Sequence, residues 1–591
     1  MMRTTQLFTA IAFITAFSVQ WAAGAEKGSI RGTVIDQSTK QPMVGANVFL
    51  VGTIIGASTD GEGRFVIQEV DENVYKIRTS FVGYLPTITT DVRVVRDKST
   101  SLELELAEDF IKSEEVTVSS TPFLVDRIAP VSNYAYSREE INRSPGAGGD
   151  IFRAIETLPG VSSSGEFSAF SVRGGSPKDN IVLVDNIPVD RLTHFEGGSE
   201  EQEAQGGRFS VFAPRVVEEA KFQAGGFPAR YGGKNASFVD LRLREGNRED
   251  VTVNGTYDVI GWELNYDGPA FVAPNTGVMV SARHQDFRTI LRMTDQKDLG
   301  DPSFTDLSLK STTDVSPNHR VSLVGIVSPE WFDRTMGHVY ESENVAQTEL
   351  QQLKEQKYLG GVNWRFLTGT SSFLQSTFFY KQRNSTYTEG RAYTDGPNGT
   401  TRPEAEATSR NVFSFDGVEK ELGVKSSYTL EFGSMGTMTT GIEISEGKLD
   451  YERTQFGLDT LYSYDRNDYR PDPARQYVLQ SPESFDAWFD QAAVSGALFL
   501  EHSFTVGDAL AINPGIRFER TGFNDREEFA PRLSASYALN HSTRINAAAG
   551  LYYQSPDVML YSEDPRNSML ENERAVHTIL GISRYGRKTA W

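Results

Sequence analysis

The feature that most constrains the fold is a two-residue alternation of apolar and polar side chains in the C-terminal half of the chain. It is clearest at residues 510–519, where one face is apolar and the other small or polar: Leu510, Ile512, Ile516 and Phe518 against Ala511, Asn513, Gly515, Arg517 and Glu519. The alternation recurs at 278–283, 362–366 and 545–553. Successive side chains of a strand point to opposite faces, so the pattern predicts strands with one apolar and one polar face. A transmembrane β-barrel with a wet lumen and a soluble β-sandwich both show this period.

Composition narrows the classes of protein without choosing between these two folds. The 591 residues include 58 basic and 79 acidic side chains, and the resulting net charge of −21 disfavours a polyanionic partner such as nucleic acid. The chain has no cysteine, which excludes disulfides and thiolate metal sites. Only 38% of residues are hydrophobic, and no segment after the N-terminus offers the ~20 consecutive apolar residues of a transmembrane helix.

The first 25 residues have the pattern of a secretory signal peptide. Arg3 precedes an apolar stretch from Leu7 to Phe17, and Ala23-Gly24-Ala25 supplies the small residues that a signal peptidase accepts. A transmembrane anchor is the alternative, but the apolar run is too short to cross ~30 Å of hydrocarbon. We therefore expect residues 1–25 to be removed from the mature protein.

Residues 26–110 alternate strand-like runs with turn signals, which predicts a small β-sandwich of about seven strands. Strands are expected at 30–35, 46–51, 65–67, 74–82 and 101–106. The segment resembles the carboxypeptidase regulatory-like domain through four motifs in order: Gly32-Thr33-Val34-Ile35-Asp36, Pro42-x-x-Gly45-Ala46-Asn47-Val48, Thr59-Asp60-x-x-Gly63-x-Phe65 and Gly83-Tyr84. This resemblance implies an accessory sandwich, not a catalytic one. Asp60 and Glu62 could ligate calcium, but the spacing of a calcium loop is missing and a hairpin turn is favoured.

Residues 121–246 contain a helix pattern followed by a series of glycine-bearing turns. Asp150 is placed to cap a helix that runs to Leu158, and Pro159-Gly160 stops it. Four short motifs follow one another here: Pro159-Gly160, Arg173-Gly174, Asp185-x-x-Pro188 and Tyr231-Gly232. In order and spacing they resemble the plug domain of TonB-dependent receptors, and the resemblance implies that these eight residues are its motif residues. It implies that Arg173 contacts the barrel wall or the preceding box segment, although an ordinary buried ion pair would fit as well. The family glycine after the aspartate is Asn186 here, and asparagine tolerates the left-handed conformation that the turn needs.

A short extended run, residues 111–120, separates the two predicted domains. Its Glu115, Val116, Thr117 and Val118 resemble the TonB box, an acidic residue followed by alternating β-branched ones. Such a segment suits β-augmentation, in which a partner pairs with the exposed main chain. The alternatives are the last strand of the sandwich or a linker, and the plug motifs that follow favour the box.

The C-terminal region, residues 247–591, follows a predicted signal peptide and plug, and this order favours the barrel over the sandwich. Its length allows about 14 to 16 strands, whereas plugged outer-membrane transporters use roughly 22. Residues 586–591 lack alternation and do not resemble a closing strand. The predicted fold is thus mainly β: a small β-sandwich, an α+β plug and an incomplete antiparallel transmembrane barrel. Because open strand edges in lipid are costly, we expect a C-terminally truncated chain that does not insert as a working transporter by itself.

Taken together, these resemblances imply an outer-membrane TonB-dependent receptor for energised ligand uptake, with its sandwich in the periplasm. The implied partners are TonB of the inner-membrane energy-transducing complex, outer-membrane lipid, and a small ligand such as a siderophore or another nutrient. A non-transporting surface or signalling protein, or an inactive truncated product, is the alternative. No phosphate-binding loop or zinc-protease motif occurs, so we expect no catalytic residues, metal or cofactor.

Two polar regions could hold residues that contact a ligand. The stretch 196–207 carries Glu200, Glu201 and Glu203, and the stretch 462–490 carries Tyr464 and Trp488. A solvated loop is the plainer interpretation of both, and also of the polar stretch 386–411.

Overall fold

The computed structural model describes the chain except residues 1–26, 107–132, 145–149, 164–169, 196–206, 340–348, 394–407, 457–483 and 585–591 and isolated positions at 52, 85–86, 97, 191, 208, 271–272, 274, 508 and 541–542. The predicted signal peptide, the box residues Glu115 to Val118, the glutamates at 200, 201 and 203, and Tyr464 lie outside the described residues. The strands between Gly28 and Leu106 form one compact unit, and the elements from Asn133 onward form a second.

The N-terminal unit is a sandwich of seven strands, as the turn spacing predicts. The strands are β1 (Gly28–Asp36), β2 (Asn47–Leu50), β3 (Gly56–Ser58), β4 (Arg64–Val70), β5 (Asn73–Ser80), β6 (Thr87–Val94) and β7 (Ser99–Leu106). One sheet has the order β4-β1-β7, with β1 and β7 parallel, and the other has the order β3-β2-β5-β6. Ile30, Val48, Phe65, Ile77 and Leu106 are among the side chains buried between the sheets.

Asp60 and Glu62 take part in a tight hairpin turn. One Asp60 carboxylate oxygen accepts hydrogen bonds from the backbone N–H groups of Arg64 and Glu62, at 2.8 and 3.0 Å. The Arg64 side chain binds Asp60 at 3.1 Å and Glu62 at 2.5 Å. The backbone hydrogen bond from Arg64 lowers the pKa of Asp60. These carboxylates therefore serve the turn, as the hairpin interpretation predicts.

The second unit begins with a plug built on a five-stranded sheet. Its elements are β8 (Asn133–Ser137), α1 (Arg138–Arg143), α2 (Ile151–Ile155), β9 (Val161–Ser163), β10 (Phe170–Val172), β11 (Asn180–Val184), β12 (Ile187–Pro188), β13 (Thr193–His194), β14 (Phe209–Ser210), β15 (Val217–Gln223) and β16 (Ser237–Leu243). The sheet order is β12-β11-β16-β15-β8, and β9–β10 and β13–β14 form separate antiparallel pairs.

Helix α2 begins where the sequence predicts and ends earlier. Asp150 caps it by accepting hydrogen bonds from the backbone of Phe152 and Arg153, at 2.9 and 3.4 Å. The prediction that the helix runs to Leu158 is wrong, since it ends at Ile155. A residue before proline disfavours the helical region, so the chain leaves the helix in tight turns ahead of Pro159. Leu158 is nevertheless buried in the plug core.

Fourteen strands follow, and each pairs antiparallel with the next. They are β17 (Thr252–Tyr257), β18 (Gly261–Pro269), β19 (Thr276–Asp286), β20 (Asp301–Ser316), β21 (His319–Arg334), β22 (Glu349–Leu367), β23 (Ser372–Tyr393), β24 (Thr408–Glu431), β25 (Thr437–Gln455), β26 (Phe485–Val506), β27 (Leu510–Thr521), β28 (Arg526–Asn540), β29 (Thr543–Gln554) and β30 (Glu573–Arg584). Short helices α3 (Arg288–Met293), α4 (Met336–Val339) and α5 (Val558–Glu563) lie in the connections. Among the described residues, β17 and β30 each pair with one neighbour and not with each other.

The faces of this sheet decide between the two folds that the alternation allowed. Ile516 and Phe518 are 45% and 43% exposed, whereas Arg517 and Glu519, which alternate with them, are buried. Strand β30 likewise turns Val576 and Leu580 outward. A soluble sandwich buries its apolar face, so the reversed arrangement is that of a barrel wall with an apolar exterior and a polar lumen. In the part of the chain that the structure describes, no helix has the length and apolar character needed to cross a membrane.

Two expected loops are shorter than the sequence suggests. Residues 386–393 and 408–411 belong to β23 and β24, which pair as far as Tyr393 and Thr408. Residues 485–490 belong to β26, so Trp488 lies on a strand and not on a loop, with its side chain 73% exposed on the outer face. Polar composition was a poor guide because strand pairing is made by the main chain and continues through polar side chains. An outward tryptophan near a strand end is typical of the aromatic girdle of barrels.

Replacing Gly63 by alanine should destabilise the sandwich. Gly63 has a φ of 73°, and a Cβ there would lie 2.8 Å from Cβ of Pro42. A loss of at least about 1 kcal/mol is expected, measured as a lower urea concentration for proteolytic cleavage of the sandwich. Gly61→Ala is the matched control, because a Cβ at Gly61 meets nothing within 4 Å. Equal urea midpoints for the two variants would contradict this account.

Candidate functional site: the contacts between plug and barrel wall

The turn after strand β11 docks the plug onto three wall strands. Asp185 and Asn186 have φ values of 46° and 69°, so asparagine adopts the left-handed conformation that the sequence predicts for it. Asp185 accepts a 2.8 Å hydrogen bond from Nζ of Lys310 on β20. The Asp185 carbonyl accepts from Asn363 on β22 at 2.8 Å, and the Asn186 amide donates to Thr377 on β23 at 2.7 Å. Burial raises the pKa of Asp185, and the Lys310 ammonium opposes that shift.

The turn at Gly160 and the turn at Arg173-Gly174 contact each other. Gly160 has a φ of 80° where the chain leaves the segment after α2, and its carbonyl accepts a 3.0 Å hydrogen bond from the backbone of Arg173. Arg173 and Gly174 follow with φ values of 51° and 86°. A Cβ built on Gly225 would lie 3.4 Å from Nη1 of Arg173 and 3.2 Å from Nδ1 of His577 on β30. Arg173 therefore lies beside the wall at this glycine, and a contact with the box stays a prediction.

The segment 226–233 is held by an arginine of β28. Nη1 of Arg532 donates to the carbonyls of Pro228 and Tyr231, at 2.6 and 2.5 Å. The same guanidinium lies 4.2 Å from the ring centre of Tyr552 and 5.1 Å from that of Phe227. The cation thus lies against two aromatic faces and main-chain oxygens, all of which carry partial negative charge.

A glutamate of β26 holds the same segment from another side. Glu501 accepts the backbone N–H of Arg230 at 2.6 Å and the Arg230 side chain at 2.8 Å. His577 accepts the backbone N–H of Gly226 at 3.3 Å. Main-chain groups that would otherwise be buried without partners are thus satisfied by side chains of the wall.

Tyr231 and Gly232 allow the close approach of this segment to the wall. The Tyr231 ring stacks on Phe238 within the plug, with ring centres 4.2 Å apart. A Cβ on Gly232 would lie 2.1 Å from Nε of Arg517, which is fixed by ion pairs to Glu443 and Glu519. Only glycine fits this position without displacing a buried arginine.

A cavity of about 920 Å³ lies between the plug and the wall. Pro188 lines it together with charged side chains of both parts. Asp190 of the plug lies 3.6 Å from Lys234 of the plug and 3.6 Å from Lys381 of β23. Lys178 of the plug binds Asp557, the residue before helix α5, at 2.9 Å. The space is therefore crossed by ion pairs that join plug to wall and to the segment between β29 and β30.

An aromatic cluster borders the same interior. Tyr387, Phe415 and Tyr451 are buried on β23, β24 and β25, and Phe195 of the plug packs against them. Trp488, the one predicted ligand-loop residue among the described residues, faces outward and does not join this cluster. The neighbouring Phe489 packs against the cluster instead.

Sequence reasoning missed the wall partners Lys310, Glu501, Arg517 and Arg532, as well as plug His194. A usable signal exists for Arg517, because a charged side chain on the polar face of an alternating strand is directed into the lumen. No local pattern names its plug partner, which lies hundreds of residues away in the chain.

A wall with an apolar exterior that surrounds a small α+β domain defines the class of plugged β-barrel proteins. Family models agree with the domains found here: the CarboxypepD_reg-like domain at residues 30–118, the TonB-dependent receptor plug domain at 126–239 and the TonB-dependent receptor-like β-barrel at 294–585. The chain belongs to the TonB-dependent receptors, and the resemblances to the carboxypeptidase regulatory-like domain and to the plug domain are confirmed.

Two curated proteins with similar sequences are named as a TonB-dependent transporter and a TonB-dependent receptor. The TonB-dependent transporter Oar of Myxococcus xanthus is 22% identical over 240 residues, which cover 39% of this chain and 21% of Oar. The TonB-dependent receptor SusC of Bacteroides thetaiotaomicron is 21% identical over 260 residues, covering 42% of this chain and 24% of SusC. The chain thus matches about a fifth to a quarter of the length of these curated relatives.

Two solved structures share the fold. The outer membrane transporter YddB from Escherichia coli aligns with a TM-score of 0.55 at 13% identity, over 77% of this chain and 68% of that one. A ferric enterobactin receptor variant from Pseudomonas aeruginosa aligns with a TM-score of 0.52 at 17% identity, over 79% and 70%. Identity this low shows the fold alone.

Gly232→Ala should loosen the plug from the wall. The added methyl group overlaps the Arg517 guanidinium, and overpacking of this kind costs about 1–3 kcal/mol. The expected result is a lower urea concentration for exposure of the plug to trypsin in detergent. Gly360→Ala on β22 is the control, since a Cβ there meets nothing within 4 Å. A plug as resistant as that of the control would show that the close approach is not needed.

Proposed function

We propose that the chain forms the plug and much of the wall of an outer-membrane receptor that takes up a small ligand with energy supplied through TonB. The observation that supports this most is the way the plug is held. It is fixed to wall strands by side-chain hydrogen bonds and ion pairs around a cavity of about 920 Å³. Contacts of this kind exclude free diffusion and can be broken and remade without unfolding the wall.

The charged side chains that line the cavity support a route along the plug. Lys178, Asp190, Lys234 and Lys381 each have an ion-pair partner there, so charges of both signs lie beside the apolar surface of the lining. A ligand with polar groups could exchange its water for these side chains as they part. A ferric siderophore or another small nutrient is the proposed cargo, and the 27% identity over 120 residues to the ferrienterobactin receptor of Escherichia coli is in keeping with it.

In this proposal, TonB acts on the box at residues 111–120. Its Glu115, Val116, Thr117 and Val118 would pair with a TonB strand through the main chain, from the periplasmic side where the sandwich is also proposed to lie. A pull on the box would then act on the plug that follows it in the chain. A surface or signalling protein without transport would use the same plug and wall but would show no TonB-dependent uptake.

Val116→Pro should weaken binding of the periplasmic domain of TonB by about tenfold or more. Proline removes a main-chain donor that strand pairing requires, while Val116→Thr keeps that donor and the β-branched shape. Binding of the purified TonB domain to the detergent-solubilised chain can be measured by calorimetry, with the threonine variant as the control. Equal affinity for both variants would rule out the box at this position.

Uptake of radioactive ferric enterobactin by a host without its own catecholate receptors tests the cargo separately. Energised uptake predicts accumulation that V116P abolishes and V116T retains, whereas the inactive truncated product predicts no accumulation with either variant. Accumulation that does not respond to V116P would refute energised transport. TonB binding without accumulation would refute uptake of this siderophore by the chain and favour the signalling protein or the truncated product.

A further inference from the structure

His194 is a plug side chain buried completely between two carboxylates of the wall. On strand β13, its Nε2 lies 2.9 Å from Asp306 of β20 and its Nδ1 lies 2.7 Å from Glu330 of β21. The ring also stacks on Phe304, with ring centres 3.8 Å apart and planes 14° apart. The backbone N–H of Phe195 donates to the second oxygen of Glu330 at 3.0 Å.

These contacts are one end of a connected set of ion pairs along six neighbouring strands. Arg283 of β19 binds Asp306 at 2.5 Å. Lys357 of β22 lies 3.4 Å from Glu330 and 2.8 Å from Glu355. Arg383 of β23 then binds Glu355 at 2.6 Å and Glu419 of β24 at 2.8 Å. We call this set the histidine cluster: His194, Arg283, Asp306, Glu330, Glu355, Lys357, Arg383 and Glu419.

The hydrogen-bond geometry determines the charge of the imidazole. A neutral imidazole has one N–H and one lone pair, so it can donate to only one of two carboxylates. Here both ring nitrogens face carboxylate oxygens at hydrogen-bond distance. Asp306 also accepts from Arg283 and from Ser328, and Glu330 also accepts from Lys357 and a backbone N–H, so each of the four carboxyl oxygens faces another donor. Both ring nitrogens can donate to these oxygens only if the ring is an imidazolium.

A count of charges leads to the same result. The wall members of the cluster are three cations and four anions, which leaves one uncompensated negative charge. Protonated His194 brings the cluster to zero, whereas neutral His194 leaves the buried Asp306 and Glu330 with less cationic compensation. An incompletely compensated buried charge is costly.

We infer that His194 is held as an imidazolium and is the positioning residue that fixes the plug segment 192–195 to the wall by completing the charge balance of the histidine cluster. The cluster also borders the cavity, since its members Lys357, Arg383 and Glu419 line it, as does Thr193, the residue before His194. Widening the cavity on this side would separate His194 from Asp306 and Glu330. This role concerns how the plug is fixed to the wall, and it does not depend on whether the chain transports a ligand.

The direction of titration follows from the surroundings of the ring. Burial by itself lowers the pKa of His194, but Asp306 and Glu330 outweigh burial and raise it above the ordinary histidine value. A group whose pKa is raised on folding gives its full stabilisation below its unfolded pKa and loses it as pH rises through the folded pKa. The stabilisation from this anchor should therefore be largest below the ordinary histidine pKa and be lost as the pH rises through the raised pKa of His194.

Nitrogen-15 NMR of the chain labelled at histidine tests the charge directly, and His194→Gln identifies the signal. We expect both ring nitrogens of His194 to carry protons at pH 7.5, where an unperturbed histidine is mostly neutral. A His194 signal with one protonated nitrogen at that pH would overturn the inference. This measurement uses the unaltered protein, so it does not depend on the folding of a variant.

A second measurement tests the anchoring. At pH 7, His194→Gln should increase trypsin cleavage of the plug in urea by about tenfold. It should also remove the loss of protection that we expect the unaltered chain to show as the pH is raised stepwise into the alkaline range. The control is His338→Gln, because His338 lies 3.4 Å from Asp301 and has no ion pair with the plug among the described residues. If the two glutamine variants are cleaved equally, or if protection of the unaltered plug is the same across that pH range, His194 does not hold the plug.

Discussion

The structure depends on the need to satisfy polar side chains on the inner face of a wall whose outer face is apolar. Once Ile516 and Phe518 face outward, the alternating residues Arg517 and Glu519 must face inward, where they are shielded from water. Such groups are stable only with partners, and the wall supplies some of them across neighbouring strands. The rest come from the plug, whose main-chain carbonyls bind Arg532 and whose Arg230 binds Glu501. The plug is therefore bound to the wall by buried polar contacts and is not a loosely enclosed domain.

This dependence also explains why several motif residues are small or adopt unusual conformations. Gly232 leaves room for Arg517, and Asp185 and Asn186 make a left-handed turn that brings polar groups of the main chain and side chains to three wall strands. Each serves a close approach between the plug and a buried polar group. The same contacts suit the proposed function, because directional hydrogen bonds hold the plug in one position yet can be broken by a pull along the chain.

Local features of the fold were open to sequence reasoning. The alternation at 510–519 predicted strands, Asp150 predicted a helix start, and Asn186 predicted a left-handed turn, because each depends on neighbours in the chain. Long-range features were not. The start of strand β24 and the outward position of Trp488 depend on pairing with other strands, and the partners of His194 lie 112 and 136 residues away. Residue types thus indicate the chemistry of the plug contacts, but which residues pair is set by the order of the wall strands around the plug.

The orientation of the wall strands is the claim on which the rest depends, and strand β26 tests it most directly. The chain has no cysteine, so single cysteines at 494 to 500 can each carry a spin label in lipid vesicles. Val494, Leu498 and Leu500 are exposed, and Ala497 and Phe499 are buried. The account predicts high accessibility to oxygen dissolved in lipid at the even positions and low accessibility at the odd ones. Accessibility that does not alternate, or that alternates in the opposite phase, would contradict it.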